Sequence, residues 1–184
     1  MGKDTRRLLN SARIEILENP IDFIAEDHMR EREVCAMIDK LVSNVALEDA
    51  EICQMLTFLE EQLPPHLADE ENDLFPLMLK RCAPEDEIER VIAKLQSDHV
   101  HGIADAPAIA ALIKANKPGD TPFSEMACAQ LTKFATHARR HLILENAIIL
   151  PIARARLTKD DLKTMRSHML ERRGLDHKPK GETC

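Results

Sequence analysis

Apolar residues recur at helical spacing along four long stretches of this chain, and each stripe has a histidine in or directly after it. The stripes read Ile21, Ile24, His28, Cys35, Ile38, Val42; then Leu56, Leu59, Leu63 leading into His66 and Glu70. The third is Ile88, Ile92, Leu95, His99, Ile103, Ala106, and the fourth Leu131, Phe134, His141, Glu145, Ile148, Ile152. Such spacing buries one face of a helix and gives a strand no consistent inner side. Composition agrees, because Leu, Ile, Ala, Met, Glu and Lys dominate and Trp and Tyr are absent. The expectation is an all-α chain of 184 residues with one core.

The punctuation sets the boundaries. Residues 1–18 form an extension with a short helix around Thr5–Leu17, which Pro20 breaks. Asp22 reads as the N-cap of the first core helix, running to about Asn44. A second helix starts near Leu47, kinks or restarts at Pro64–Pro65 and ends near Arg81, with a further disturbance at Phe75–Pro76. Pro84 followed by Glu-Asp-Glu reads as the start of the third, which ends at Lys117-Pro-Gly-Asp. The fourth spans about Pro122 to Leu157 and completes a core unit over residues 19–157. Thr158 and Asp161 resemble a capping box that opens a short C-terminal helix over 158–174, ending at Gly174. Residues 175–184 read as a disordered tail, and no internal repeat is evident.

His66–Glu70 and His141–Glu145 are both His-x-x-x-Glu pairs, so each pair shares one helix face. About one such pair is expected by chance in a chain this rich in both residues, so placement carries the weight. Both pairs lie on the inward faces of their helices, and His28 and His99 come from the other two stripes. Buried carboxylates need a positive partner. Four histidines and two glutamates converging from four helices make a nitrogen/oxygen site for two metal ions, of a type that suits iron, manganese or zinc. The plain alternative is hydrogen-bonded inward histidines with the glutamates at the bundle edge.

The order and spacing of these residues separate the chain from carboxylate-rich bundles built on Glu-x-x-His. His28, His66-x-x-x-Glu70, His99 and His141-x-x-x-Glu145, with IDFIAEDHMRERE, LPPHLADEENDLFPLM and HLILENAIILPIAR around them, resemble the hemerythrin-like family with its HHE cation-binding pattern. The likeness covers about residues 20–155. It implies an up-down four-helix bundle holding two iron ions bridged by both glutamates and an oxo or hydroxo group. Ligands alone leave manganese and zinc open. Oxygen-carrying members have a second histidine one turn after the third-helix ligand, where this chain has Ile103. The resulting site is more open, which suits turnover or exchange better than protected oxygen carriage.

Other polar residues near the stripes have competing readings. His137 is a fifth nitrogen donor, a group behind the ligands (the favoured reading) or an inward histidine satisfied by hydrogen bonds. Asp73 and Glu31 either orient a ligand histidine or are solvated acids. His101, His168 and His177 read as surface residues. The cysteines, Cys35, Cys53, Cys82, Cys128 and Cys184, read as reduced and mostly packed, with Cys184 exposed.

A net charge of −7 argues against nucleic acid, and no apolar run is long enough to span a bilayer. The reading is a cytoplasmic protein that binds or reduces oxygen, peroxide or nitric oxide, with an external electron donor if it turns over. The alternative is a metal- or redox-responsive sensor whose C-terminal helix and basic tail report the state of the site.

Overall fold

The computed structural model describes residues 19–101, 105–116 and 122–175. The expected helix around Thr5–Leu17, the tail from residue 176, Ile103, His177, Cys184 and the His101 side chain lie outside the described residues. Helix α1 is Pro20–Val42. A second rod runs through α2 (Asp49–Thr57), α3 (Leu63–Asp69) and α4 (Phe75–Arg81), joined by two wide π turns at Phe58–Gln62 and Glu70–Leu74. Helices α5 (Ile88–His101) and α6 (Ala106–Ala115) follow. Then come α7 (Glu125–Leu144), a third π turn at Glu145–Ile149, α8 (Leu150–Arg156) and α9 (Lys159–Arg172).

Two apolar clusters make up the core, and each rod passes from one to the other. On α1 the order is Ile21 and Ile24 in one cluster, then Val34 to Leu41 in the second. The second rod runs the other way, from Met55 and Leu63 in the second cluster to Leu74 and Met78 in the first. The α5–α6 stretch follows the direction of α1, from Ile88 and Leu95 to Ile109 and Ile113. From α7 to α8 the order reverses again, from Leu131 and Ala138 to Ile149 and Ala153. The chain therefore runs up, down, up and down, as four apolar stripes joined by short connections require. His28, His66, His99 and His141 each sit in sequence where their rod changes cluster. Ile24, Ile38, Leu95 and Leu131 are fully buried, each contributing roughly 1.5–3 kcal/mol by leaving water.

Several helix boundaries differ from expectation. Asn19, not Asp22, caps α1: its Oδ1 accepts from the Ile21 N–H at 3.0 Å, while its amide holds Asp22 at 2.7 Å. Pro20 thus begins the helix, because the first turn needs no N–H from it. Pro84–Asp86 is a single 3-10 turn, Glu87 turns left-handed at φ 48°, and α5 starts only at Ile88. Ser124 caps α7 by accepting from the Ala127 N–H at 3.2 Å. Thr158 and Asp161 do form a reciprocal box, with N–H to side-chain distances of 2.9 and 3.2 Å. The rod then ends past α9 at Gly174, with φ 64°.

The prolines produce wide turns rather than breaks. In each π turn the residue before a proline donates its N–H five residues back: Leu63 to Phe58, Phe75 to Glu70, and Leu150 to Glu145. Pro64, Pro76 and Pro151 have no N–H, and their rings would clash with a carbonyl four residues earlier. Those carbonyls fall inside the widened turn, so the rod continues past each proline. The extra residue also moves the inner stripe by one position. Ile148 and Ile152, expected inward, are half-buried, while Ile149 and Ala153 are buried.

Candidate metal centre

Both glutamates of the His-x-x-x-Glu pairs are the first residues of π turns, Glu70 in the second rod and Glu145 after α7. Wide turns of this kind concentrate at functional sites, where they re-aim a side chain. Both carboxylates point inward and are fully buried. His28, His66 and His141 are also buried to within 1% of exposure, and His99 to 8%.

All four histidines present Nε2 to these two carboxylates. His28 Nε2 lies 3.3 Å from Glu70 Oε1 and 3.2 Å from Glu145 Oε2. His66 and His99 approach Glu70 Oε2 at 3.7 and 3.5 Å. His141 lies 3.1 Å from Glu145 Oε2, and its Nε2 is 3.1 Å from that of His99. Donors about 2.1 Å from one ion stand about 3.0 Å apart at right angles and about 3.4 Å apart in a tetrahedron. The distances from His28 and His141 fall within that range, and those from His66 and His99 to Glu70 lie just above it. Two groups with donor atoms within 4.8 Å of one another result: Glu70, His99, His141 and Glu145, and His28, His66 and Glu70. Glu70 belongs to both, and a single oxygen of Glu145, Oε2, faces both His28 and His141.

The unsatisfied atoms support the same fit. Glu70 Oε2 and both Glu145 oxygens are buried with no hydrogen-bond partner. Burial opposes charge on Glu70, yet His66 and His28 hold its carboxyl well below the usual range. Burial likewise opposes charge on His66 and His141. Glu70 and Asp27 nevertheless lift the first to about 10, and Glu145 lifts the second to about 9.

Behind the ring nitrogens stand three residues that the periodicity did not single out. Glu71 Oε1 is 2.5 Å from His99 Nδ1, and Asp27 Oδ2 is 3.5 Å from His66 Nδ1. The Asn146 amide donates to the Leu142 carbonyl at 2.7 Å and lies 3.1 Å from His28 Nδ1. Its orientation therefore bears on which His28 nitrogen carries the proton. Phe75 stacks on His99 with ring centres 5.7 Å apart. Asp27 could have been noticed in sequence as the neighbour of His28; Asn146 gave no signal beyond following Glu145.

The remaining candidates are placed as follows. His137 is in neither ligand group; its Nε2 lies 3.2 Å from the Asp98 carbonyl oxygen, one residue before His99. Asp73 neither orients a ligand histidine nor faces water. It is buried under α9, held by His168 at 2.5 Å and Arg172 at 2.6 Å. Its neighbour Asp69 is fully buried against Arg172 and Arg173, the latter at 2.6 Å. His168 is half exposed but engaged. Glu31 is buried, contrary to a solvated acid, and burial pushes its carboxyl up to about 7. Of the described cysteines only Cys35 is buried; Cys53 is exposed, and all four are free thiols.

No helix among the described residues is long and apolar enough to cross a membrane. No curated protein matches the chain. The family model of the hemerythrin HHE cation-binding domain matches residues 19–153, a span containing all four histidines and both glutamates of the centre. With its all-α bundle and its buried histidine–glutamate cluster, the chain belongs to the hemerythrin HHE cation-binding family.

Proposed function

We propose that His28, His66, Glu70, His99, His141 and Glu145 hold two iron ions, and that the protein binds or reduces oxygen, peroxide or nitric oxide in the cytoplasm. The observation that carries this reading is the convergence of four Nε2 atoms on two carboxylates, with Glu70 common to both groups. His28 and His66 would hold one ion and His99 and His141 the other, with Glu70 common to both groups. Bound ferrous ions would supply the electrons for reduction and the positions for a small ligand. The protein's own part is orientation and shielding. Asn146, Asp27 and Glu71 fix the rings from behind, and Phe75 covers His99 from water. Turnover would need an external electron donor.

The test is metal content and absorption of protein purified without oxygen and then exposed to air. About two irons per chain and a near-ultraviolet band growing on oxidation are expected. Replacing His66 by Ala, or Glu145 by Gln, should lower metal content and thermal stability together. Full stoichiometry in both variants would overturn the assignment.

A sensing role has one specific observation in its favour. Arg172, Arg173 and His168 of the C-terminal region grip Asp69 and Asp73, which flank Glu70. Metal-dependent capture of a partner, without consumption of peroxide when a reductant is supplied, would select that reading.

A further inference from the structure

Among the described residues, Glu31 is the one buried acid left without a partner on both oxygens while standing outside the two ligand groups. It lies one helical turn after His28, 1% exposed, on the same inward stripe. Its surroundings offer no other use for it. The next inward residues on α1 are Val34, which is apolar, and Cys35, whose thiol already donates to the Ala135 carbonyl. Arg139, which faces Cys35, is committed to the Cys35 carbonyl and to Asp39. The charged groups that act on Glu31 are His66, His141, Glu145 and His28, all members of the centre and drawn from three rods. A buried carboxyl group with no partner is costly, so its retention beside an incomplete ligand shell calls for a missing partner.

The four histidine nitrogens and the oxygens of two glutamates leave two six-coordinate ions short of full protein ligation. Glu31 stands outside both ligand groups, so it is not counted among the coordinating residues. We propose that the Glu31 carboxyl group is the protein's hydrogen-bonding contact for the small molecule held in the open positions of the centre. The contact makes it a specificity-determining residue, favouring ligands that both give and accept hydrogen bonds, such as hydrogen peroxide. Nitric oxide has no proton to give and is a weak acceptor, so it gains little from Glu31. This inference rests on the metal-centre reading above.

The test uses the full chain, with Glu31→Leu and Glu31→Gln beside the wild type, loaded anaerobically with ferrous iron. Metal stoichiometry is measured first, then affinity for nitric oxide in the reduced protein and for hydrogen peroxide in the oxidised protein, both from absorption titrations. Expected is wild-type metal content in both variants. The peroxide-to-nitric-oxide affinity ratio falls at least tenfold in Glu31→Leu and is partly restored in Glu31→Gln, which can still donate and accept. Metal-free Glu31→Leu should unfold no earlier than wild type, because the carboxyl has no bonds to lose; earlier unfolding would mark a structural role and overturn the proposal. An affinity ratio within twofold of wild type in Glu31→Leu, or loss of metal from that variant alone, would also overturn it. Failure of the wild type to hold iron would instead remove the metal-centre reading on which it rests.

Discussion

Arg173→Ala tests how the C-terminal helix is fastened to the ligand-bearing rod. Asp69 is fully buried, and Arg173 meets it with two nitrogens, Nη2 to Oδ2 at 2.6 Å and Nη1 to Oδ1 at 3.1 Å. The same guanidinium donates to the Met169 carbonyl at 3.2 Å and lies 5.0 Å from the centre of the Phe23 ring. Removing one partner of a buried pair costs about 3–5 kcal/mol, mostly because the other charge is left uncompensated. Arg172 remains on Asp69, which reduces that figure, while the lost contact with Phe23 adds about 0.5–1 kcal/mol. The expected loss is therefore about 3 kcal/mol, or roughly 6–12 °C in Tm for a chain of this size.

The sign of the Asp69 shift sharpens the test. Burial raises its carboxyl above the ordinary value despite Arg173 and Arg172, so the pair does not make the ionised acid cheaper than it is in water. The cost of Arg173→Ala then comes from breaking the pair rather than from losing a strongly favourable one. Asp69→Asn in the same chain removes the stranded charge and should recover about 2 kcal/mol beyond additivity. Urea unfolding of metal-free protein, followed by circular dichroism at constant m-value, measures all four corners of the cycle. A single-variant loss below about 1 kcal/mol, or strict additivity, would refute the reasoning.

Three further outcomes follow from the titrating and capping groups. His66 and His141 are raised to about 10 and about 9, and metal ligands must be deprotonated, so loading metal-free protein at pH 7 should release about two protons per chain to an indicator dye. With folded values above unfolded ones, their stabilising contribution in metal-free protein is full below the ordinary histidine value. It is lost as pH rises through about 9 to 10, which thermal melts across that range would register. Thr158→Ala removes one arm of the α9 capping box, with an expected loss of about 1 kcal/mol by urea unfolding; no loss would mean that Asp161 and Arg81 fix that end unaided.

Much of the site was legible because a helix period is a geometric rule: His28, His66, His99 and His141 fell on apolar stripes, and all four are buried. Val42 and Leu56 are half-buried at the stripe edges, and past the last π turn the stripe shifts by a whole position. A 3.6-residue period carried Ile148 and Ile152 inward, but the N–H of Leu150 reaches back five residues to Glu145, and the inner face moves to Ile149 and Ala153. The clue was present as proline, which local rules read as a kink because they do not show how a neighbouring rod supports a wider turn. Asp73 was misjudged for a different reason. Its partners, His168 and Arg172, lie far along the chain on α9, and no local pattern reports that contact.

Those wide turns also reveal a repeat. His66, Glu70 and Pro76 have the same spacing as His141, Glu145 and Pro151, and in both cases the glutamate carbonyl accepts from the residue before the proline. One local device is therefore used on both descending rods, setting each carboxylate where the helix widens and its rod passes between apolar clusters. Such a polar band would be expensive if its charges stood alone. They do not: Glu70 and Glu145 are paired with histidines that hold protons more tightly than free histidine does. Those protons can occupy the role of a cation while the two apolar clusters assemble around them. A cation entering the centre then exchanges with bound protons rather than creating a charged interior, so cation binding and proton release are two sides of one equilibrium.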